Sequence, residues 1–159
     1  MPTYELSESS RLATPAEQVW AHALTPAGVN LELRPLARMT FPIDTESLEP
    51  SEALLGKPLF RSWILLFGII PADYDEVTFV EFEDGHRFLE CSPMLSQRLW
   101  QHERIVEPIS GGCRLTDRLK LSPKIAILGP IYERIFRLTF TLRHRNLRKL
   151  FGDLGASSV

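Results

Sequence analysis

Polar and apolar positions alternate from the start of the chain. Tyr4, Leu6, Glu8, Ser10 and Leu12 share one parity, which predicts a strand. Thr14-Pro15-Ala16-Glu17 then reads as a helix start, with Thr14 as cap, Pro15 at the first helical position and Glu17 completing a capping box. That helix carries Val19, Trp20, Ala23 and Leu24 and ends near Thr25-Pro26. A second short helix over Gly28 to Leu33 stops before Pro35, because the residue preceding a proline disfavours helical geometry.

The period then changes. Arg38 to Phe41 predicts a strand, and Ile43 to Pro58 an acidic loop or short-strand region. Leu59 to Ile70 has apolar residues on both parities and predicts one long strand covered on both faces, ended by Pro71. Tyr74 to Glu83 and His86 to Ser92 flank Asp84-Gly85, a hairpin signal of the type I′ kind. Leu99 to Glu107 and Cys113 to Leu121 flank a second turn at Ser110-Gly111-Gly112. Pro130 to Phe151 has no internal Pro or Gly and predicts one long helix stopped by Gly152. The small, polar stretch 153–159 is expected to fray. The resulting order is a strand, two short helices, a run of about six or seven antiparallel strands and a terminal helix. It is an α+β pattern in which the helix covers the concave face of the sheet.

At 159 residues the whole chain, 1–159, fits one domain, able to bury roughly two-thirds of its unfolded surface. Its 44% hydrophobic and 24% charged residues exclude a disordered chain. The net charge of −2 carries no nucleic-acid footprint. Residues 1–110 hold 8 bases against 17 acids, and residues 111–159 hold 10 against 3. Either the two parts neutralise one another in the fold, or the basic end meets an anionic membrane or an acidic partner. The first ten residues do not form a signal peptide, and no apolar run approaches the ~20 residues of a spanning helix. Cys91 and Cys113 fit neither a metal spacing nor a disulfide framework. A cytoplasmic location is expected.

On a helical projection of the last element, Ile131, Ile135, Leu138 and Leu142 cluster, with Tyr132, Phe136, Phe140, Leu147 and Leu150 widening the apolar arc. Arg134, Arg137, Arg145 and Arg148 fall on the other side with Glu133 and His144. Arg143 falls inside the apolar arc and requires a carboxylate or an anionic ligand group, unless its stem reaches solvent. Asp117 shares the parity of Leu115, Leu119 and Leu121. An Asp117–Arg143 ion pair would account for both residues, and an edge position for Asp117 is the alternative. Trp100, His102, Arg104 and Val106 share a parity. An inward His102 is either a general acid or base or a hydrogen-bonded structural residue. His22, His86 and His144 are scattered, and no metal set, nucleophile elbow, P-loop or dinucleotide fingerprint stands in the chain. No cofactor is expected.

Thr14-Pro15-Ala16-Glu17-Gln18-Val19-Trp20, the stretch Thr25 to Leu33, Trp100-Gln101-His102-Glu103-Arg104 with Gly111-Gly112-Cys113-Arg114-Leu115-Thr116-Asp117, and Arg143-His144 with Leu147 and Phe151 resemble motifs of the SRPBCC superfamily. That superfamily includes START lipid-binding domains, birch pollen allergens and polyketide cyclases. Arg104, Val106 and Cys113 stand where its pattern has a second histidine, an aromatic residue and a threonine. The resemblance implies a helix-grip fold with a cavity between sheet and terminal helix. It also implies a hydrophobic or amphipathic small-molecule ligand, such as a lipid, a quinone or a polyketide-like compound. Arg143, Asp117, His102, Trp100, Trp63, Phe136, Phe140 and Tyr132 are the expected ligand contacts. A cyclase or aromatase using His102 and Asp117 for proton transfer is the alternative implied by the same family. Peripheral membrane or partner contact through the basic helix is the third reading.

Overall fold

The computed structural model describes residues 2–155. Strand β1 (Tyr4–Leu12) is followed by helices α1 (Ala16–Ala23) and α2 (Pro26–Leu33), then by β2 (Ala37–Met39), β3 (Phe60–Leu66), β4 (Ile70–Val77), β5 (Phe79–Glu83), β6 (Arg87–Cys91), β7 (Gln97–Ile109) and β8 (Gly112–Pro123). The long helix α3 (Gly129–Phe151) comes last. All pairings are antiparallel. The expected single sheet is divided into a five-stranded sheet, β1-β8-β7-β6-β5, and a three-stranded sheet, β2-β3-β4. They meet at Thr78, whose N–H donates to Ser92 Oγ at 3.0 Å and whose carbonyl accepts from Cys91 N at 2.9 Å. The chain thus bends from one sheet into the other without losing its hydrogen bonds.

Several local expectations change in the fold. Leu59 to Ile70 is a hairpin rather than one buried strand. Phe67 and Gly68 turn the chain with φ of 53° and 81°, and Pro71 lies inside β4. Trp63, Phe67, Ile69 and Ile70 are exposed, so apolar content on both parities here marks a strand pair covered on one face only. At Asp84-Gly85 positive φ is confined to Gly85, which excludes the I′ turn. Residues 84–86 form a three-residue connection between Glu83 and Arg87. Thr14 does not cap α1, and Pro15 occupies the cap position. The Thr14 hydroxyl donates instead to Phe151 O at 2.7 Å, tying the start of α1 to the end of α3. α2 does have a side-chain cap, Thr25, accepting from Gly28 N at 3.0 Å.

The two longest strands are joined at Ser110-Gly111, with Gly111 at φ 86°. A Cβ on Gly112 would stand 1.8 Å from Leu12 O, so glycine there lets β1 close onto β8. Beyond α3, Asp153 bridges to Leu12 and Leu154 N donates to Arg11 O at 3.0 Å. The expected fraying of the last four residues, 156–159, lies outside the described residues. One core cluster joins Val19, Trp20 and Leu24 of α1 and its end to Phe79, Phe88, Val106 and Leu115 of the sheet and Leu147 of α3. A second lies under the other half of α3, around Leu6, Trp100, Leu119 and Phe140.

The orientation of α3 departs from the projection. Its buried face is Phe140, Arg143, His144 and Leu147, at the i, i+3, i+4, i+7 spacing of one helix stripe. His144, expected on the polar side, is fully buried, whereas Ile131, Ile135 and Leu138 are 54%, 47% and 61% exposed. The C-terminal half of α3 packs on β1 and α2. The N-terminal half stands over an opening between helix and sheets, and Ile135 and Leu138 border that opening instead of entering a packed core.

Candidate functional site

Between α3, α2 and the two sheets lies a cavity of about 550 Å³, within the size range of small-molecule sites. Val29 and Leu33 of α2, Met39 of β2, and Ile64 and Leu66 of β3 form one side. Val77, Phe79, Phe88 and Trp100 form the strand floor. Tyr132, Phe136, Thr139, Phe140 and Arg143 reach it from α3. Strand alternation puts Trp100, His102 and Arg104 on the floor together, and the i, i+4 step of the helix does the same for Tyr132, Phe136 and Phe140. Trp63 is not in the wall. It lies on the outer parity of β3, against Tyr74 with ring centroids 5.4 Å apart, which corrects its expected place.

The polar part of the wall is an ion network. Arg104 is 1% exposed. It donates to Glu32 through Nη1 and Nη2 at 3.0 and 2.8 Å, and to Asp117 through Nε and Nη2 at 2.7 and 2.8 Å. Arg143 Nε donates to the same Glu32 at 3.1 Å. The expected Asp117–Arg143 pair is therefore replaced. Arg143 pairs with Glu32, and Asp117 pairs with Arg104, His102 and His144. The edge alternative fails as well, since Asp117 is 1% exposed on a strand with neighbours on both sides.

A carboxylate only accepts, so His102 Nε2 at 2.7 Å and His144 Nε2 at 2.8 Å donate to Asp117. With two bonds from Arg104, its two oxygens carry four donors, their usual capacity. Burial alone would raise its pKa, but Arg104 and His102 outweigh that and hold Asp117 well below the carboxylate range. Glu32 is likewise lowered against burial by Arg104 and Arg143. Asp117 does not line the cavity. It sits behind Arg104 and His102 and positions them.

A second group lies on the other side of His102. Asp73, Asp75 and Glu90 line the cavity and are 8%, 5% and 7% exposed. Asp73 is satisfied by Tyr74 N at 2.8 Å, Ser96 N at 3.2 Å and the Ser96 hydroxyl. Glu90 accepts from Ser92 Oγ at 2.6 Å and stands 3.6 Å from His102 Nδ1. Burial, then the neighbouring Glu90, pushes the Asp75 carboxyl well above its usual range. Burial opposes ionised Glu90, but the neighbouring His102 and Asp75 outweigh it and lower its pKa. Asp75 Oδ1 and Trp100 Nε1 are buried without hydrogen-bond partners. Among the described residues, no group of three or more His, Cys, Asp or Glu is arranged for a metal ion.

Of the expected contacts, His102, Trp100, Phe136, Phe140, Tyr132 and Arg143 meet at the cavity. Asp75 and Glu90 on the cavity wall, and Glu32 and His144 in the ion network behind it, were not expected, although each has a legible signal. Glu32 sits beside Leu33 and one turn beyond Gly28 on the face α2 buries. Glu90 shares the parity of Phe88, and Asp73 and Asp75 that of Val77. His144 follows Arg143, and only the rotation of α3 brings it inward.

The DUF8410 family, described as a domain of unknown function, matches residues 10–151. The chain belongs to this family. No curated protein matches this DUF8410 chain. Among solved structures it is similar to protein CV1439 of Chromobacterium violaceum, at 17% identity and a TM-score of 0.67, over 96% of this chain and 99% of that one. It is similar to a START superfamily protein of Mycobacterium smegmatis at 9% identity and a TM-score of 0.62, over 94% and 96% of the two chains. Ara h 8.0201 aligns at 9% identity and a TM-score of 0.57, over 93% and 99%. These likenesses show the fold. The DUF8410 chain has the helix-grip fold. No helix among the described residues is long and apolar enough to cross a membrane.

Proposed function

We propose that the protein binds a small, mainly apolar molecule with one polar end in the cavity between the sheets and α3. The observation that carries this reading is the cavity itself: about 550 Å³, walled by aliphatic and aromatic side chains, with its ionisable groups gathered around His102 rather than scattered. Burial of apolar ligand surface, at roughly 25 cal/mol per Å², supplies the affinity. The polar cluster supplies orientation. Arg104 and Asp117 are occupied with each other, which leaves His102, Arg143 and the Asp75–Glu90 pair as the polar contacts.

Native mass spectrometry of freshly purified protein, followed by denaturing extraction, tests the proposal. A stoichiometric apolar or amphipathic compound released on denaturation supports it. A mass equal to the bare chain, together with no thermal shift across a panel of lipids, quinones and aromatic compounds, overturns it.

A cyclase or aromatase reading has one specific support, a histidine on the cavity wall with carboxylates at both ring nitrogens. In that reading His102 moves a proton of a bound chain, and His102→Gln abolishes turnover while keeping binding. The basic-helix reading has less to draw on. Arg137 is paired with Glu133 at 2.9 Å, Arg148 donates to Ser10 at 2.9 Å and faces Asp153, and Arg134 and Arg145 are exposed.

A further inference from the structure

The cavity wall has a definite charge sign. The ionisable groups that line it, with the ion-pair partners behind them, comprise five carboxyls (Glu32, Asp73, Asp75, Glu90, Asp117), two guanidinium groups (Arg104, Arg143) and two imidazoles (His102, His144). Glu32 and Asp117 balance the two arginines one for one. Arg143 therefore does not present an uncompensated charge, which removes the ground for an anionic ligand group beside it. Asp73, Asp75 and Glu90 then face only the two imidazoles, and His144 is turned away toward Asp117 and Ser10. Whatever the protonation of the imidazoles, the wall carries no excess positive charge, and a carboxylate entering it would add to an acidic set at low dielectric.

An unpartnered group marks the point of contact. Asp75 Oδ1 is buried with no hydrogen-bond partner on a side chain that lines the cavity, and unsatisfied buried polar atoms are rare. Its neighbour Glu90 has one oxygen held by Ser92 and the other facing His102 at 3.6 Å, longer than a hydrogen bond. A donor arriving from the cavity would satisfy that acceptor.

From this we infer that the ligand's polar end is a hydrogen-bond-donating, cationic amine seated at Asp75 and Glu90, with its apolar body along Trp100, Phe136 and Phe140. The inference rests on the cavity being a ligand site, as proposed above, and specifies the class of ligand. A protonated amine brings the charge the wall lacks.

The test is calorimetric titration at neutral pH with three probes on one skeleton: 1-naphthylmethylamine, 1-naphthylmethanol and 1-naphthoate. The amine is expected to bind at least about tenfold more tightly than the carboxylate, with the alcohol between them. The Asp75→Asn/Glu90→Gln variant is expected to lose the preference for the amine while retaining alcohol binding. Asp75→Asn alone serves if the double variant does not fold, and the ranking on the native protein stands without either. Naphthoate binding as tightly as the amine, or an amine preference that survives the substitutions, overturns the inference while leaving the cavity a ligand site. Failure of all three probes, with no compound released on denaturation, overturns both readings together.

Discussion

The guanidinium of Arg104 touches Glu32 along one edge and Asp117 along the other. Removing it would strand two buried carboxylates. A buried pair adds little net stability against an apolar substitute, but breaking one from a single side costs about 3–5 kcal/mol. Arg104→Met is expected to lose that much or more in urea unfolding, and a loss under about 1 kcal/mol, the scale of an exposed pair, would contradict the network. The carboxyls also set opposite pH slopes. Glu32, Glu90 and Asp117 have lowered pKa values in the fold, so their stabilisation is present above the ordinary carboxylate range and is lost as pH falls through the folded values. Asp75 is raised, so its contribution is present below its ordinary value and is lost as pH rises through the raised one. Asp75→Asn should flatten the profile on the rising side. Melting temperature against pH measures both limbs, and an unaltered rising side would show that Asp75 is not the group responsible. At this scale the sequence signals an inward charge at Asp117 and Arg143 by parity and projection, but not its partner. A partner is a long-range contact, and Glu32 lies 111 residues from Arg143.

α2 has only eight residues, too short to be stable alone, yet it must hold Glu32 within 3 Å of Arg104. Two asparagines fasten its C-terminal half. Asn30 brackets Met39, accepting from its N–H at 2.7 Å and donating to its carbonyl at 3.0 Å. Asn146 of α3 donates to the Glu32 and Arg34 carbonyls at 2.8 and 2.7 Å. Asn146→Ala leaves those carbonyls short of a donor at the end of the helix and is expected to cost about 1–3 kcal/mol. Thermal unfolding gives the value, and a neutral result would mean that α2 is held by packing alone. On α3, Thr139 reaches the cavity beside the exposed isoleucine stripe. Thr139→Trp should fill that space, weakening binding of the naphthyl probes by at least about tenfold with little loss of stability. Unchanged affinity would place the ligand elsewhere. The extent of α3 was legible because 3.6-residue periodicity is local. Its rotation was not, because Ile135 and Leu138 are apolar for the rim of a cavity rather than for a core.

Across the whole molecule, the acidic first part and the basic last part neutralise each other through the strand registers and the contact of α2 with α3. Glu103 meets Arg118 at 3.3 Å, Glu5 meets Lys120 at 3.7 Å, and Glu32 meets Arg143 at 3.1 Å. The wall behind the cavity is thus cross-linked by charge, and the space in front of it is not filled. A ligand that binds only the folded form stabilises it by mass action, by about 2.7 kcal/mol at one hundred times its dissociation constant. At ~2–4 °C per kcal/mol for a chain of this size, 1-naphthylmethylamine should raise the melting temperature by roughly 5–10 °C. Calorimetric binding without that rise would mean that the probe sits on the surface.

Local chemistry determined the order of elements. The alternation of β1, the proline that closes α2, the glycine turn between β7 and β8 and the uninterrupted run of α3 are each set by residues within a few positions of one another, and the family motifs carried the same order to the helix-grip fold. Tertiary structure decided the rest. Whether Leu59 to Ile70 is one strand or two, which face of α3 is buried, and which carboxylate meets which arginine depend on how distant segments close on one another. The hollow core is the clearest case. The same leucines and phenylalanines would line a cavity or fill it, because hydrophobicity favours removal from water without specifying what takes water's place.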